Sequence, residues 1–284
     1  MTSDTTIASH DEPVLVLEPG RADKHYWMDL WRFRELFIIL AWRDLSVRYK
    51  QTVIGVLWAI IRPFLTMVVF TVVFGGLAGL PSEGDAPYAL MVFAGLLPWT
   101  LFANSLSEAS NSLVDNANLI SKVYFPRLVV PSAAMVTALV DFLISLAILA
   151  GLMVFYRYAP GPQILLLPAF TLLALLAALG PSLWLTALNV KYRDFRYTIP
   201  FIVQFGLYVS PVGFSSQTIP ERWRALYGLN PMVGVIEGFR WCILGGEAPL
   251  FGTSFIVSLV VVAFFLWFGI SQFRKMEKSF ADLI

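Results

Sequence analysis

From residue 128 to 156 the chain runs through an apolar stretch in which Asp141 is the only charge. A hydrocarbon core about 30 Å thick is crossed by about 20 helical residues at 1.5 Å each, so this stretch is long enough to span a bilayer. Residues 52–80, 88–113, 163–190 and 250–273 qualify on the same grounds. A sixth stretch, residues 197–214, is shorter and contains "IPFIVQFGLYVSPVGF". Backbone groups find no water in hydrocarbon, so such segments must bond internally as helices. The expected fold is an all-α polytopic membrane protein with six transmembrane helices and both termini on one side. Composition agrees: 58% of the residues are hydrophobic and 14% charged, against about 25% charged in an average soluble domain.

Charge placement sets the orientation. Arg21, Lys24, Arg32, Arg34, Arg43, Arg48 and Lys50 precede the first span. Lys122 and Arg127 follow the second, Lys191, Arg193 and Arg196 the fourth, and Arg274, Lys275 and Lys278 the last. The opposite face carries Arg157, Arg222, Arg224 and Arg240, and its first loop, "PSEGDAP", is acidic. Fifteen cations against four predict that both termini are cytoplasmic. The N-terminus is polar and reads as no signal peptide. The expected divisions are a polar extension over 1–28, an interface helix over 29–50, a six-span domain over 51–274 and a cytoplasmic tail over 275–284. Cys242 is the single cysteine, so no intramolecular disulfide forms, and it reads as a small apolar filler.

"ELFIILAWRDLSVRYKQT" precedes the first span. Leu36, Ile39, Leu40, Ala41 and Leu45 recur at helical spacing among many charges, which predicts a helix lying in the headgroup plane. The end of the second span carries Asn104, Glu108, Asn111 and Asp115 at i, i+4, i+7 and i+11, a polar stripe on one helical face. "NANLISKVYFPRLVVP" follows, and Pro126 and Pro131 interrupt any regular helix there. It reads either as a short helix across the membrane end or as a polar loop.

Residues 230–246, "NPMVGVIEGFRWCILGG", are mostly apolar but carry Glu237 and Arg240. A full crossing here would strand the basic C-terminal tail outside. A re-entrant element near a water-accessible outer mouth fits, and so does a helix lying on the outer surface.

Two charges lie inside spans. Asp141 and Arg62 lie at comparable depth, and a lone buried carboxylate is costly, so the two are expected to pair. No chain of further acids suggests a proton relay. Phe201, Phe205 and Tyr208 lie at i, i+4 and i+7 beside Gln204. With Trp58, Phe70 and Phe74 they can line a path for sugar rings, or serve as core and lipid contacts.

The chain has no G-x-x-x-x-G-K-[ST] phosphate loop and no G-x-S-x-G elbow, and its histidines are His10 and His25. Neither ATP binding by that loop nor a metal site is expected, and nothing suggests nucleic-acid binding. A membrane-embedded glycosyl- or acyltransferase is the weaker reading.

Taken in order, "ELFIILAWRDLSVRYKQTVIGVLWAIIRP", "FAGLLPWTLFANSLSEASNSLVDNANLISKVYFPR", "LNVKYRDFRY" and "SPVGFS…YGLNPMVGVIEGFRW" resemble the membrane permeases of ABC exporters for bacterial cell-surface polysaccharides: lipid-linked O-antigen, capsule and teichoic acid. The resemblance covers residues 30–280. It implies a homodimer of six-span subunits in the inner membrane, joined by two separate ATP-binding cassette subunits that hold ATP and Mg, with no cofactor in this chain. It implies a coupling helix over 111–124, including Asn111, Asp115, Lys122 and Tyr124, that fits a cleft of the ATPase. It implies re-entrant helices over 217–246 at an outer gate, with Glu237 and Arg240 at its hydrated rim. Phe201, Phe205, Tyr208, Trp58 and Phe70 are then channel-lining candidates. Arg43, Arg48 and Lys50 would attract the pyrophosphate of a lipid-linked glycan. A drug or lipid exporter permease is the alternative within the same broad type.

Overall fold

The computed structural model describes residues 26–50, 55–246, 248, 252–277 and 280. Residues 1–25 of the expected polar extension, and Lys278 of the expected tail, lie outside them. The described residues are helical and contain no strand.

The chain enters through α1 (Tyr26–Arg32) and α2 (Arg34–Lys50). α3 (Gly55–Phe70) continues as a π-helical turn over Thr71–Leu77. α4 (Tyr88–Asp115), the short α5 (Ala117–Ile120) and α6 (Val129–Phe155) follow, and then α7 (Leu167–Lys191) after a 3-10 turn at Pro162–Leu166. α8 (Phe195–Val209), α9 (Glu221–Tyr227), α10 (Pro231–Leu244) and α11 (Thr253–Glu277) complete the order.

Among the described residues, five helical segments are long and apolar enough to cross a membrane: Leu57–Leu77, Tyr88–Asp115, Val129–Phe155, Pro162–Lys191 and Thr253–Glu277. The expected sixth span corresponds to α8, which has 15 residues and so rises about 22 Å. That is shorter than the hydrocarbon core, and it is not among the five.

α4 is the axis of the bundle. In its most apolar window 89% of the residues are buried, against 17% in the Leu57–Leu77 segment and in α11. A helix apolar on all sides belongs at the centre of its neighbours, and α4 packs most extensively on α6 and α7. Polar side chains join it to α7. Thr186 Oγ1 donates to the Ala109 carbonyl at 3.0 Å, and Asn189 Nδ2 donates to the Ser110 carbonyl and to Asn111 Oδ1, each at 3.1 Å. Such bonds within a membrane bundle contribute about 0.6–2 kcal/mol each.

α7 and α11 meet at two glycines. A Cβ on Gly269 would lie 2.0 Å from the Gly180 carbonyl oxygen, and one on Gly180 would lie 2.5 Å from the Phe265 backbone. With no hydrophobic drive between helices in lipid, small residues let backbones approach closely enough for dispersion to hold them.

A second core closes the end of the bundle where α1, α2, the residue 116–128 connection and the end of α11 meet. It gathers Leu40, Ala41, Leu113, Ile120, Phe125, Leu128, Phe273 and Phe280. Arg127 ties the connection to α11: its backbone N–H donates to Glu277 Oε1 at 2.8 Å and its Nη1 to the Glu277 carbonyl at 3.2 Å. The Arg274 guanidinium covers the Tyr26 ring at 4.6 Å. The described lead-in is helical over Tyr26–Arg32 and again from Arg34, with an interruption at Phe33.

α2 is not a simple two-faced helix. Leu40 and Ala41 are buried against the bundle, but Trp31 of α1 and Ile38, Ile39 and Trp42 of α2 are more than half exposed. Apolar residues therefore lie on two sides, and Ile39 is on the outer one rather than the packed one.

Candidate functional site

Three regions gather the residues singled out by sequence: the junction of α2 with the spans, the connection after α4, and the α8–α10 end.

At the first, Arg48 of α2 reaches two helices at once. Its Nη1 lies 2.8 Å from Glu108 Oε1 on α4, and its Nη2 lies 2.7 Å from Asp141 Oδ2 on α6. The neighbouring Tyr49 donates its hydroxyl to Asp141 Oδ1. Both Asp141 oxygens are thus bonded, which offsets the cost of burying a carboxylate. The expected pair between Asp141 and Arg62 does not form. The Arg62 guanidinium lies over the Trp58 ring at 5.8 Å, because the α3 register brings it to the same cavity wall as Asp141 but not within reach. Arg43 pairs with its neighbour Asp44 at 2.7 Å, and Lys50 covers the Trp42 ring at 5.7 Å.

The polar stripe on α4 serves as a track for three other helices. Glu108 takes Arg48, Asn111 takes Asn189 of α7, and Asp115 lies 3.6 Å from Arg196 on α8. Asn104 lines the cavity beside Arg62. Asn111 and Asp115 belong to the last turns of α4, so a single coupling helix over 111–124 is not what forms. Instead α4 ends at Asp115, α5 makes one turn, and Ser121, Lys122, Val123 and Tyr124 form an exposed apex. Ile120 and Phe125 on either side are buried, at 2% and 3% exposure, and hold the apex to the bundle.

On α8, Phe201, Phe205 and Tyr208 share one open face, with exposures of 68%, 61% and 59%. The Phe201 and Phe205 rings stack at 6.2 Å. Tyr197, at 81% exposure, extends the face by one turn, and its i−4 relation to Phe201 was the signal available in the sequence. Trp58 is also open, at 52%, whereas Phe70 is buried at 7% and packs on Phe74 at 5.2 Å. Phe70 fills the space against Gly213, where a Cβ would lie 2.8 Å from its ring. It shares no open surface with Trp58, which lies about 18 Å away along α3 by helical rise.

α10 is buried rather than hydrated. Asn230 caps it by accepting from the Met232 N–H at 3.0 Å, with Pro231 in the first helical position. Gly245 ends it with φ of 78°, a conformation that costs glycine little. Arg240 is 2% exposed. Its Nη1 donates to Glu83 Oε1 at 2.9 Å and the Phe214 carbonyl at 3.0 Å, and its Nη2 to the Val212 carbonyl at 2.9 Å. Gly95 of α4 leaves room for the guanidinium, since a Cβ there would lie 3.1 Å from Nη2. Arg240 is therefore a clamp joining α10, the residue 81–87 loop and the residue 210–215 loop, not a residue of an open rim. Glu237, one turn away and half-buried, has its carboxyl held above the ordinary value chiefly by burial. A hydrogen bond from Ser216 and the nearby Arg240 charge partly offset that shift.

None of these regions assembles a nucleophile, a base and an orienting partner, and no group of three or more metal-ligating side chains occurs among the described residues. Residues 35–244 match the ABC-2 type transporter family. The chain belongs to that family. This ABC-2 type transporter chain is accordingly a multi-pass membrane protein and a transport subunit. It is 29% identical over 258 residues to the O-antigen export system permease protein RfbA of Myxococcus xanthus, covering 90% of this chain and 98% of the relative. It is 27% identical to the protein of the same name from Klebsiella pneumoniae, covering 88% and 95%. The polysialic acid transport protein KpsM of Escherichia coli is 23% identical over 246 residues, covering 84% and 92%. In this ABC-2 type transporter chain the matched region runs from α2 through α10, so it includes the Arg48 junction, the exposed apex and the Arg240 clamp.

Proposed function

We propose that the chain is the permease subunit of an ATP-driven exporter that moves a lipid-linked, O-antigen-like polysaccharide across the bacterial inner membrane. The observation that carries this reading is the similarity to O-antigen export permeases along nearly the whole of both chains.

Within it, α8 acts as the sixth crossing element and α9–α10 as a re-entrant hairpin, so both termini are cytoplasmic. α1 and α2 lie at the cytoplasmic interface. The exposed Trp31, Ile38, Ile39 and Trp42 suit contact with acyl chains and headgroups. The permease works as a homodimer with two ATP-binding cassette subunits, which supply ATP and Mg. The Lys122–Tyr124 apex is the contact for the ATPase, supported by its exposure between the buried Ile120 and Phe125. Arg43 and Lys50 attract the pyrophosphate of the substrate, while Arg48 links α2 to the spans. Phe201, Phe205 and Tyr208 present ring faces to the moving glycan, supported by their shared exposure.

The test is genetic and chemical together. Removing the partner ATPase gene should leave the glycan in the cytoplasm while its synthesis continues, and reintroduction should restore surface display. Surface glycan at normal levels without the ATPase would defeat the proposal.

A further inference from the structure

α11 meets the rest of the bundle along one narrow stripe. Its buried residues are Ser258, Val262, Gly269 and Phe273, at spacings that place them on a single helical face. The other faces are open, and only 17% of its most apolar window is buried.

Both ends of this stripe are pinned by hydrogen bonds. At one end Ser258 holds the turn between α9 and α10. Its Oγ donates to the Gly228 carbonyl at 3.0 Å and the Asn230 carbonyl at 3.3 Å, and accepts from the Gly234 N–H at 3.2 Å. At the other end Glu277 Oε1 accepts from the Arg127 N–H at 2.8 Å, and the Glu277 carbonyl accepts from Arg127 Nη1 at 3.2 Å. Phe273 packs in the core that holds Ile120, Phe125 and Leu128, on either side of the exposed apex.

Between the pins lies the crossing with α7, where a Cβ on Gly269 would come within 2.0 Å of the Gly180 carbonyl oxygen. By helical rise Gly269 stands about 16 Å from Ser258 and about 12 Å from Glu277. A stiff helix pinned at both ends and touching a neighbour's backbone at one point between them has the geometry of a lever. A shift of about 1 Å at Glu277 becomes about 1.3 Å at Ser258 in the opposite sense, within the roughly 1–2 Å helix shifts that carry switching between packed elements.

α4 also runs from the apex connection toward α10, where its Gly95 receives the Arg240 guanidinium. It is enclosed on all sides, with 89% of its most apolar window buried, so displacing it means repacking several helices at once. α11 can tilt against yielding lipid, and α9 at its far end has no buried residue to hold it back.

We propose that α11 is the lever that carries displacement of the apex to α9 and its turn into α10, with Glu277 and Ser258 as the positioning residues at its two ends. The inference rests on the reading of the apex as the ATPase contact and of α9–α10 as the outer hairpin. When the apex is pushed, the Arg127 backbone carries Glu277 with it, α11 tilts about the Gly180–Gly269 crossing, and Ser258 moves the turn.

The test uses the full-length permease reconstituted with its partner ATPase in nanodiscs. Backbone hydrogen exchange, which reports local opening, is compared between the nucleotide-free complex and the complex trapped with ATP and vanadate. In the unaltered complex, nucleotide should change exchange at the apex connection, residues 116–128, and at residues 221–234. Glu277→Ala and Ser258→Ala should each keep the change at the apex and lose most of the change at 221–234, and export per ATP hydrolysed should fall severalfold. Glu277→Gln, which keeps an oxygen to accept from the Arg127 N–H, should retain most of both. The double alanine variant should lose little more than either single one, since both cut the same lever. Val260→Ala, on the open face of α11 at 63% exposure, should behave as the parent. A change at 221–234 that survives both alanine variants, or losses that multiply in the double variant, would overturn the lever and leave the apex reading standing. No nucleotide-dependent change at the apex of the unaltered complex would overturn that reading and the lever with it.

Discussion

Asp141, deep in α6, is held by Arg48 of α2 at 2.7 Å, although Arg62 is the arginine that shares its depth in the spans. The pair fastens a helix outside the bundle to its interior, and Glu108 extends the link to α4 at 2.8 Å. Movement of α2 is thereby tied to two spans through one guanidinium.

Breaking this junction from either side should cost stability. Arg48→Met should lose about 3 kcal/mol, because Asp141 is left buried and uncompensated, and Asp141→Leu should lose less, because Arg48 is partly exposed and keeps Glu108. The double variant should lose much less than the sum, since neither charge is then stranded. Denaturation of the detergent-solubilised chain in a double-mutant cycle measures this, and additive losses would show that the two side chains act independently.

Arg240 should not tolerate lysine. Its fork serves Glu83, Val212 and Phe214 together, and an ammonium cannot reproduce that planar set. Arg240→Lys and Arg240→Gln should both lose about 3 kcal/mol or more. Tm by intrinsic tryptophan fluorescence tests this. An unchanged Tm in the lysine variant would mean that charge alone suffices.

Glu237 carries a pH signature. Its carboxyl is raised from the ordinary 4.5, with burial as the main cause, so the folded state holds the proton more tightly than the unfolded chain. That contribution is fully present below pH 4.5 and is lost as pH rises through the folded value. Glu237→Gln should therefore raise Tm at neutral pH, and the gain should vanish toward pH 4.5. The comparison is a pair of melting curves across that window. A gain that persists in acid would assign the effect to something other than titration.

The crossing of α7 and α11 should be intolerant of any side chain. Gly269→Ala places a methyl 2.0 Å from the Gly180 carbonyl, so the helices must separate. Monodisperse protein on size-exclusion chromatography should fall at least severalfold. Gly151→Ala, where nothing lies within 4 Å of the added carbon, is the control expected to behave as the parent chain.

The Lys122–Tyr124 apex should matter for coupling rather than folding. Lys122→Ala with Tyr124→Ala should leave unfolding stability within about 0.5 kcal/mol of the parent, as exposed substitutions usually do. Export per ATP hydrolysed should drop at least severalfold in the reconstituted complex. Unchanged coupling would remove this apex from the contact.

The apolar segments, the polar stripe on α4 and the exposed aromatic face of α8 were legible because each is a periodic pattern along one helix. Tyr197, which opens the 197–214 stretch at i−4 from Phe201, continues the same face but was not singled out. The burial of α10 was not legible: Glu237 and Arg240 look like interface residues until Glu83, Val212 and Phe214 are brought around the guanidinium. Phe70 was misread in the same way, as an open aromatic that instead fills the space beside Gly213.

Hydropathy and charge placement, which act segment by segment, determined that this chain is an all-helical membrane protein with a strongly basic side. They also marked which stretches are too short or too charged to be ordinary spans. Only the tertiary structure decided that Asp141 takes Arg48 rather than Arg62 and that α10 is locked inside. Lipid accepts any apolar face, so a hydrophobic segment does not encode its own rotation or depth. Those are set by neighbours such as the Gly180–Gly269 crossing, and ion pairs follow from them.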